Sequence, residues 1–495
     1  MKIIDKQVPI DVLFISEGTY PYVLGGVSSW IHSIIEAMKD LRFGIIFLGS
    51  KQEDYPGIQY KLPENIVYLE DYFIFSEKEY PPLCYIKGSD KVKKLKSLLI
   101  NSKHFPEELS NINFYLSEVT FSEILYSRKT FEMIEDLYVE LNLSIPFVDF
   151  FWTLRNIFIP LWIVVRAITS VIDRNISLIH SPSTGYAGFL GALLKKVRGI
   201  PFIITEHGIY TRERKIDLLN AQWINTGSNY FFKDLKIEEP KNLWINFFVN
   251  LGKICYQEAD RVFCLFEDAK AAQISLGCPP EKIEVVPNGV EIQRYSHLRD
   301  RKQGIPPVVA LIGRVTPIKD IKTFIKAIKL LVEKLPEAEG WIVGPEEEDP
   351  DYAKECKLMV EVLGIEKKVK FLGTQKLTDI LPKIGLCTLT SISEGMPLVV
   401  LESFAAGLPC VTTDVGSCRQ LVYGGLNKED IQLGKAGEVV SVGDSKSLSE
   451  AYYKLLTDKQ QYLMARRAGI ERVEKFYSFE RFINNYRSIY NYFIK

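Results

Sequence analysis

The sequence predicts an α/β protein with two Rossmann-like domains, each of them a parallel sheet covered by helices. Short apolar runs rich in β-branched residues alternate with segments of helical periodicity in both halves of the chain. The length of 495 residues is enough for about two to three domains. Residues 297–307 (HLRDRKQGIPP) are polar and contain one glycine and two prolines, so we predict a linker there. Two such domains facing each other would leave the cleft between them as the default active site.

The second half of the chain shows the alternation most regularly. An apolar stripe at spacings of three and four residues runs from Ile321 to Leu335 and predicts an amphipathic helix. Strands that alternate with such helices predict a parallel sheet with helices on both faces. The predicted strands of this half are 308–312, 341–343, 369–372, 387–391, 409–413 and 438–442.

The first half shows the same alternation with one interruption. A helical stripe runs from Val27 to Met38, whereas residues 75–175 are helical and aromatic without alternating strands, which indicates a helical insertion. The predicted strands of this half are 12–15, 45–48, 177–180, 202–205 and 261–265. The predicted organisation is a domain at 1–300 with its insertion at about 75–175, a domain at 301–475, and a C-terminal helix at 476–495 for which Ser478 is the cap.

The composition argues against several classes of function. Lys and Arg number 61 and Asp and Glu number 62, which leaves a net charge of −1. The net charge therefore does not indicate that the whole protein binds nucleic acid or anionic lipid electrostatically, and no nucleic-acid partner is predicted. Apolar residues make up 47% and charged residues 25%, as in ordinary globular proteins, so wholesale disorder is not expected.

The cysteines and the N-terminus point to the cytoplasm. The 8 cysteines include no C-x-x-C pair, so neither a disulfide framework nor the spacing of metal ligands is present. Asp11 interrupts the first apolar run, and no small-residue cleavage site follows, so no secretory signal is predicted. We expect a reducing compartment, with buried cysteines acting as small apolar residues.

One apolar segment, residues 145–165, raises the question of a membrane. About 20 apolar residues can span a bilayer. Asp149, Arg155 and Asn156 interrupt this segment, however, and Pro160 lies within its last apolar run. We predict a helix that is buried or lies on the protein surface, and a helix resting on a membrane remains an alternative.

A loop between a predicted strand and helix, residues 393–402, carries the strongest chemical signal. Pro397 is expected in the first helical turn, where backbone N–H groups have no partner within the helix, so a proline there costs no hydrogen bond. Glu394 on the loop and Glu402 in the first turns of the helix could hold different parts of one long ligand. The structural alternative is a capping glutamate and an exposed helical glutamate. Backbone N–H groups expected to face an anion or a sugar hydroxyl are those of Gly395, Met396, Leu398 and Val399.

Two cations lie at the first strand–helix turn of the same half, after Gly313. Arg314 offers a planar fork for phosphate oxygens and Lys319 a compact positive charge. Two fixed cations together with helix dipoles could neutralise a diphosphate leaving group as a metal does elsewhere. A solvated arginine and lysine are the alternative, but their place beside the paired glutamates favours function.

Weaker candidates lie in the first half. Gly25 and Gly26 open the first helix and would let the backbone approach a ligand, although the G-x-G-x-x-G dinucleotide fingerprint is absent. His207 lies just past the strand 202–205, at the carboxyl edge of a sheet, where ligands bind. His180 ends the preceding strand in the same way, with a structural role as the alternative. Candidate anion contacts on the loop after His207 are Arg212 and Arg214.

These motifs resemble the family-4 retaining glycosyltransferases, which have the GT-B fold. Two segments are similar to one branch, the cytosolic glycosyltransferases of Pel exopolysaccharide synthesis: residues 17–30 (EGTYPYVLGGVSSW) and 205–214 (TEHGIYTRER). The resemblance covers essentially the whole chain, including the helical insertion, which ordinary family-4 members lack. The paired glutamates are specific to the broad family, and the two N-terminal segments carry the assignment to the branch.

The resemblance implies transfer of a sugar from a UDP-sugar donor to a growing exopolysaccharide at the cytoplasmic face of the membrane. It implies retention of anomeric configuration and no metal or other cofactor. Glu402 would hold the ribose hydroxyls, Glu394 would lie beside the donor sugar, and Arg314 with Lys319 would bind the diphosphate. The implied partners are the polysaccharide acceptor and inner-membrane synthase subunits.

The resemblance also assigns roles to residues outside those motifs. The Gly25-Gly26 loop would close over the diphosphate, and His207 would contact the sugar near the reacting centre. Backbone near Gly373, at the end of a strand, would meet the uracil. The helix at 476–495 would cross back onto the first domain.

Other functions remain open on the sequence alone. Asp349 and Asp351 resemble the acidic metal motif of another class of sugar transferases, but they lie in a run of acidic residues that is typical of a solvated turn. A UDP-sugar epimerase with the same fold is one alternative, and a non-catalytic UDP-sugar-binding subunit of a synthase complex is another. A family-4 transferase that builds glycogen or lipid-linked glycans is a third.

Overall fold

Two separate sheets form the core of the chain in a computed structural model, which describes residues 3–4, 8–75, 84–100, 106–142, 145–221, 239–300 and 304–494. Of the predicted linker, residues 301–303 lie outside the described residues, as do 76–83, 101–105 and 143–144 of the predicted insertion. The chain divides into two units. Unit 1 comprises Met1–Cys264, Lys270–Glu284 and Tyr486–Lys495, and unit 2 comprises Leu265–Ala269 and Val285–Asn485.

The sheet of unit 1 is parallel apart from one edge strand. In spatial order it runs β1-β4-β3-β2-β5-β6-β7-β8, and β1 pairs antiparallel with β4. Nearly every residue of the central strands β2 and β3 is buried, as a sheet covered on both faces requires. The strands are β1 (Ile3–Ile4), β2 (Ile10–Glu17), β3 (Phe43–Gly49), β4 (Ile66–Phe73), β5 (Ile176–Ser181), β6 (Phe202–Glu206), β7 (Arg261–Cys264) and β8 (Ile283–Val285).

The described residues between β4 and β5 are helical, as the sequence predicts for the insertion. They include two short 3-10 helices and a π-helix, which are Asp90–Leu98, Glu107–Ser110 and Phe114–Glu118. The α-helices up to β8 are α1 (Gly26–Ala37), α2 (Phe121–Tyr126), α3 (Arg128–Leu141), α4 (Phe147–Val171), α5 (Tyr186–Arg198), α6 (Tyr210–Asn220), α7 (Glu239–Glu258) and α8 (Glu267–Ser275).

Helix α4 is the apolar segment that raises the membrane question. By length and composition it could cross a bilayer, but 56% of its most apolar window is buried inside the structure, as in the core helix of a globular domain. Trp162 Nε1 donates to the carbonyl of Val119 at 2.8 Å. Arg155 donates to the carbonyl of Leu125 at 2.8 Å. Two polar groups of α4 are therefore used in tying it to the rest of the insertion.

The sheet of unit 2 is parallel throughout, in the order β11-β10-β9-β12-β13-β14. The strand order reverses between β9 and β12, which makes this position the topological switch point of the sheet. Open α/β sheets bind ligands at the carboxyl ends of the strands beside such a point. The strands are β9 (Val308–Ile312), β10 (Glu339–Val343), β11 (Val369–Phe371), β12 (Leu386–Leu389), β13 (Cys410–Thr413) and β14 (Gly437–Val440). Each lies within a few residues of a strand that the sequence predicts.

Helices surround this second sheet. The predicted apolar stripe lies on α10, whose buried face includes Ile321, Phe324 and Ile328. Ser478 caps the C-terminal helix, because its Oγ accepts a hydrogen bond from Arg481 N at 3.2 Å. The remaining helices are α9 (Ile292–Ser296), α10 (Ile321–Lys334), α11 (Pro350–Val362), α12 (Leu377–Ile380), α13 (Leu398–Ala405), α14 (Cys418–Tyr423), α15 (Lys428–Gln432), α16 (Ser445–Thr457), α17 (Lys459–Phe476) and α18 (Phe479–Phe493).

A fully buried ion pair links two helices of unit 2. Arg472 on α17 and Asp430 on α15 are both 0% exposed, and Arg472 Nε donates to Asp430 Oδ1 at 2.6 Å. The other carboxylate oxygen accepts the N–H groups of Gly425 at 2.8 Å and Leu426 at 3.1 Å. Arg472 also donates to the carbonyl of Gly434 at 2.7 Å. A buried pair is tolerated when further hydrogen bonds satisfy both charges, and that condition is met here.

Removing one member of this pair is expected to be costly. Arg472→Met should lower the free energy of unfolding by about 3–5 kcal/mol, because it leaves the Asp430 carboxylate buried without its counter-charge. Arg467→Met on the same helix is the control, since Arg467 is 81% exposed and pairs with Glu471 only at the surface. That variant should lose about 0.5 kcal/mol or less. Urea unfolding of both variants makes the comparison, and similar losses would contradict the prediction.

Candidate active site

The carboxyl ends of β9 and β12 bring a cation and a carboxylate into direct contact. Lys319 ends the turn that follows β9, and Glu394 lies on the loop after β12. Lys319 Nζ donates to Glu394 Oε1 at 2.5 Å, and the two side chains are only 19% and 13% exposed. Ser391 Oγ donates to the same carboxylate oxygen at 2.6 Å. The sequence predicts both residues as site residues but gives no sign that they pair.

Hydrogen bonds hold these two loops against each other. Thr390, which is fully buried, donates its hydroxyl to the carbonyls of Lys319 at 2.7 Å and Asp320 at 3.1 Å. Ile392 N donates to the carbonyl of Ile318 at 2.8 Å. The Lys319–Glu394 contact therefore rests on backbone positions that are themselves fixed, as a preorganised site requires.

A third loop, after β13, closes on the same place. Ser417 N donates to the carbonyl of Gly395 at 2.9 Å. Gly416 has a φ of +52°, and a Cβ added there would lie 2.2 Å from the carbonyl oxygen of Glu394 and 2.4 Å from that of Gly395. Glycine is therefore required at 416 both for its backbone conformation and for the close approach of the loops. The sequence analysis did not identify Gly416 as part of the site.

Arg314 is held by a carboxylate of its own. One guanidinium nitrogen, Nη1, lies 2.6 Å and 2.7 Å from the two carboxylate oxygens of Glu348, and the side chains of this pair are 56% and 48% exposed. Gly313 N donates to the carbonyl of Val343 at 2.9 Å, which ties the Arg314 loop to the end of β10. The structure thus places Arg314 beside Glu348 on the neighbouring loop, and its assignment to a diphosphate stays a prediction.

Two glycines complete this edge of the sheet. A Cβ on Gly344 would lie 2.0 Å from the carbonyl oxygen of Gly313, so only glycine lets the β9 and β10 loops meet. Gly344 N donates to the carbonyl of Gly373 at 2.9 Å, and Gly373 has a φ of +60° with open space around it. The loops after β9, β10 and β11 therefore form one connected edge.

Helix α13 begins one residue later than the sequence predicts. Its first residue is Leu398, and Pro397 precedes it as the N-cap, with an extended φ of −73° and ψ of 110°. The N–H groups of Leu398 and Val399 lie in the first turn, where no intrahelical acceptor exists. Met396 is buried at 7% exposure, so its side chain anchors the loop in the unit.

Glu402 lies one turn into α13 in a largely buried position. Tyr295 on α9 donates its hydroxyl to Glu402 Oε1 at 2.8 Å. Burial raises the pKa of the Glu402 carboxyl, and the Tyr295 hydrogen bond acts in the opposite direction. Neither Glu394 nor Glu402 is a solvated surface glutamate, so the structural alternative considered for this pair does not describe them.

In unit 1, His207 has an unused ring nitrogen. The residue follows β6, and its Nε2 atom is buried without a hydrogen-bond partner among the described residues. Its ring meets that of Trp30 edge-on, with centroids 4.7 Å apart. Burial lowers the pKa of His207 to about 3, which keeps the imidazole neutral. Buried polar atoms nearly always have a partner, so this nitrogen is suited to a ligand.

His180 occupies the core instead. It is 0% exposed, and its two ring nitrogens lie 2.9 Å from the Tyr490 hydroxyl and 2.8 Å from the Thr205 hydroxyl. Burial also lowers the pKa of His180 to about 3. With both nitrogens used inside the fold, the structural role is the one that the geometry supports for His180.

The loop that carries His207 is anchored on a buried carboxyl group. Glu206 is 3% exposed and accepts from the Thr184 hydroxyl at 2.9 Å, the Tyr210 backbone N–H at 3.2 Å and Gln273 Nε2 at 2.5 Å. The Tyr256 hydroxyl donates to the same carboxyl group. Burial raises the pKa of Glu206, and these donors oppose the shift. The network fixes the backbone on both sides of His207.

Two residues that the sequence analysis did not list as site residues, Glu17 and Tyr210, lie beside Arg214. The Tyr210 hydroxyl donates to Glu17 Oε1 at 2.6 Å, at the end of β2. Arg214 stacks over the Tyr210 ring at 5.1 Å and lies 3.9 Å from Glu17. Gly185 leaves room for this cluster, since a Cβ there would lie 2.3 Å from the Tyr210 ring. Arg212 is exposed on the same helix, α6. Glu17 lies two residues past the predicted strand 12–15, at the carboxyl edge of the sheet, which was the signal available in the sequence.

The remaining candidates show no binding feature of this kind. Gly25 and Gly26 are exposed at the start of α1, and a Cβ on either would meet no atom within 4 Å, so space alone does not require glycine there. Asp349 caps α11, where its side chain accepts from Tyr352 N at 3.0 Å. A capping role accounts for Asp349, and independence from metal stays a prediction.

Two family models match the chain. The family described as Domain of unknown function (DUF3492) matches residues 10–281, and the family described as Glycosyl transferases group 1 matches residues 306–458. The second match contains the loops of Lys319, Glu394 and Glu402.

Two curated proteins are similar in sequence. The UDP-Gal:alpha-D-GlcNAc-diphosphoundecaprenol alpha-1,3-galactosyltransferase of Escherichia coli is 23% identical over 306 residues, which cover 58% of this chain and 68% of that protein. The D-inositol 3-phosphate glycosyltransferase of Corynebacterium glutamicum (strain R) is 30% identical over 118 residues, which cover 21% of this chain and 27% of that protein. The chain thus spans about two thirds of the first relative and about a quarter of the second.

A solved structure is similar over nearly the whole chain. It is Anabaena HepE in complex with UDP and glucose, with a TM-score of 0.59 at 16% identity, covering 97% of this chain and 99% of HepE. At that identity the likeness concerns the fold. The prediction of the GT-B fold, with two parallel-sheet α/β domains, is therefore confirmed.

The buried His180 and the partly buried His207 predict how stability depends on pH. In the unfolded chain a histidine takes up a proton near pH 6.5, whereas burial holds the pKa of His180 and His207 at about 3 in the fold. Between these values the unfolded state binds more protons, so stability falls as the pH falls. His207→Gln removes one of the two protons, and the slope of unfolding free energy against pH should become shallower by about 1.4 kcal/mol per pH unit. Urea unfolding at several pH values measures the slope, and an unchanged slope would contradict the burial of His207.

Proposed function

The chain belongs to the DUF3492 family and contains a group 1 glycosyltransferase domain, and we propose that it is a retaining transferase that moves a hexose from a UDP-sugar to a polysaccharide. The observation that carries this proposal is the arrangement at the carboxyl edge of unit 2. A largely buried Lys319–Glu394 pair lies on two adjoining loops, and Glu402 lies one turn into the helix that follows.

The edge of unit 2 offers a partner for each part of such a donor. We assign the ribose hydroxyls to Glu402, the transferred sugar to Glu394 and the uracil to the backbone near Gly373. An ammonium group has three donors. Lys319 uses one of them on Glu394, so it can also donate to a phosphate oxygen. In this assignment the carboxylates of Glu402 and Glu394 accept from hydroxyl groups of the donor, and the ammonium group of Lys319 donates to a phosphate oxygen.

Stabilisation of the leaving diphosphate is the main catalytic effect in this proposal. Lys319 and Arg314 supply positive charge, and the first turn of α13 supplies unpaired backbone N–H groups around Leu398 and Val399. These groups can meet the charge that develops on UDP, so the proposed reaction needs no metal. The support for UDP is that the HepE structure of the same fold contains UDP and glucose, and that the E. coli relative is named for UDP-Gal.

Retention is proposed to proceed by attack on the same face that the leaving group departs from. Apart from the carboxylates of Glu394 and Glu402, the described site residues offer no obvious nucleophile for a covalent intermediate. The alternative to such an intermediate is an oxocarbenium-like centre beside the leaving diphosphate. His207 is assigned to the transferred sugar. Because burial keeps its imidazole neutral, His207 can form a hydrogen bond with the sugar without adding charge at the reacting centre.

The biological acceptor in this proposal is a growing exopolysaccharide of the Pel type. Its support is the resemblance of residues 17–30 and 205–214, which contain Glu17, His207 and Tyr210 of unit 1. The proposed location is the cytoplasmic face of the inner membrane, reached through synthase subunits in that membrane. Trp152, at 53% exposure on α4, is an exposed aromatic residue of the insertion that such a subunit could contact.

Thermal stability with a panel of nucleotides tests the proposed donor class. The panel is UDP, UDP-glucose, UDP-N-acetylglucosamine, UDP-N-acetylgalactosamine and ADP-glucose, all in the presence of a chelator. A ligand at about 100 times its Kd stabilises by about 2.7 kcal/mol, so the UDP compounds should raise the melting temperature without metal. Stabilisation by ADP-glucose alone would reject the UDP donor, and a strict need for Mg²⁺ would reject the metal-free reaction. Product analysis then separates a transferase, which releases UDP, from an epimerase, which makes a second UDP-sugar.

Arg314→Ala tests the assignment of the diphosphate. Loss of one electrostatic donor typically lowers kcat by about 10²–10³-fold, and UDP release from the donor should fall by this factor. Arg419→Ala is a matched control, because Arg419 is also 56% exposed and also pairs with a carboxylate, that of Asp414. The control should keep its turnover within about twofold. Equal turnover in the two variants would remove Arg314 from the diphosphate site.

A further inference from the structure

A buried tyrosine controls one oxygen of the Glu402 carboxylate. The Tyr295 hydroxyl donates to Glu402 Oε1 at 2.8 Å. Tyr295 is 2% exposed and lies on α9, which packs against α13, the helix of Glu402. A phenol ring fixed on all sides can direct its hydroxyl to only a few places. The packing of α9 therefore determines where this hydrogen bond is made.

We propose that Tyr295 is a positioning residue that holds the Glu402 carboxylate for the ribose of the nucleotide. A carboxylate accepts up to about four hydrogen bonds. Among the described residues, the Tyr295 hydroxyl is the hydrogen-bond donor found on Glu402, so accepting capacity remains. A ribose presents two neighbouring hydroxyl donors, which match the remaining capacity of a carboxylate whose Oε1 is already fixed. This inference rests on the proposed function, because it takes Glu402 to be the ribose-binding residue.

The hydrogen bond also favours the form of Glu402 that can accept from hydroxyl groups. Burial disfavours the charged carboxylate, while the Tyr295 hydroxyl and then the charge of Arg294 favour it. A protonated carboxyl group would turn one acceptor oxygen into a donor. Tyr295 thus acts on Glu402 in two ways, by fixing its rotation and by stabilising its ionised state.

The two helices meet from distant parts of the sequence, since Tyr295 and Glu402 are 107 positions apart. Glu402 lies on α13, after β12, whereas Tyr295 lies in the short helix α9 before β9. The contact is formed within unit 2, which contains both residues. Tyr295→Phe removes the hydroxyl and keeps the ring, so it separates the hydrogen bond from the packing of α9.

The experiment compares the binding of UDP with that of 2′-deoxy-UDP by calorimetry. In the unaltered protein, loss of the 2′-hydroxyl should weaken binding about 10-fold or more, since hydrogen bonds to a charged group are the strong ones. In Tyr295→Phe the preference for UDP should fall to about threefold or less. Affinity for 2′-deoxy-UDP should fall less than affinity for UDP, because 2′-deoxy-UDP keeps only one of the two hydroxyl contacts with Glu402 and its diphosphate contacts remain. With a UDP-sugar, KM should rise while kcat stays within about twofold.

Tyr452→Phe is the matched control. Tyr452 is 0% exposed in the same unit, and its hydroxyl lies 2.6 Å from the Thr388 hydroxyl rather than at Glu402. The same substitution there should leave the preference for UDP unchanged. A general loosening of unit 2 would lower the preference in both variants, and that result would overturn the positioning role.

A double-variant cycle shows whether Tyr295 acts through Glu402. In a Glu402→Gln background, Tyr295→Phe should cause no further loss of the preference, because the group that it positions is already altered. Additive losses would overturn the inference, as would an unchanged preference in Tyr295→Phe alone. If the unaltered protein binds UDP and 2′-deoxy-UDP equally, the ribose assignment fails while a nucleotide site remains. If it binds neither compound, the proposed function itself fails.

Discussion

The contact between Lys319 and Glu394 is the interaction on which the rest of the proposed site depends. Both side chains are largely buried, and removing two charges from water is unfavourable unless each finds the other. Their pairing requires the loops after β9 and β12 to lie side by side. The Thr390 hydroxyl joins these loops by donating to the carbonyl of Lys319. The loop after β13 also approaches the backbone of the Glu394 loop closely, which only a glycine at 416 allows. The ion pair joins two loops, and backbone contacts at Gly416 and Ser417 add the third.

This arrangement gives the carboxyl edge of unit 2 a graded set of charges. The Lys319–Glu394 pair is buried and fixed, whereas Arg314 is half exposed and held by Glu348 on a neighbouring loop. A buried, fixed pair suits the recognition of a sugar, and a half-exposed cation at the surface suits the binding of a diphosphate that enters from solvent. Glu402 adds a third kind of group, a carboxylate whose orientation is set by packing of another helix. The function that we propose follows from this division of roles.

The sequence predicted the sheets better than the partners of the site residues. Strands and the α10 stripe could be predicted because burial imposes a period on apolar residues. Strand β4 was missed, since Glu70 and Asp71 interrupt its apolar pattern. His180 and His207 look alike in the sequence, as both lie at the end of a strand. They differ in the fold because His180 finds two hydroxyl groups while Nε2 of His207 finds none, and such contacts between distant segments leave no local pattern.

The measurement that tests the central claim most directly is hydrogen–deuterium exchange of the full chain with and without UDP. If the carboxyl edge of unit 2 binds the nucleotide, backbone amides should be protected in the loops 313–320 and 391–402 and in α9, Ile292–Ser296. Protection should be small in the strands, whose amides are already hydrogen-bonded within the sheet. Exchange that is unchanged in these three segments at saturating UDP, or protection confined to unit 1, would contradict the account.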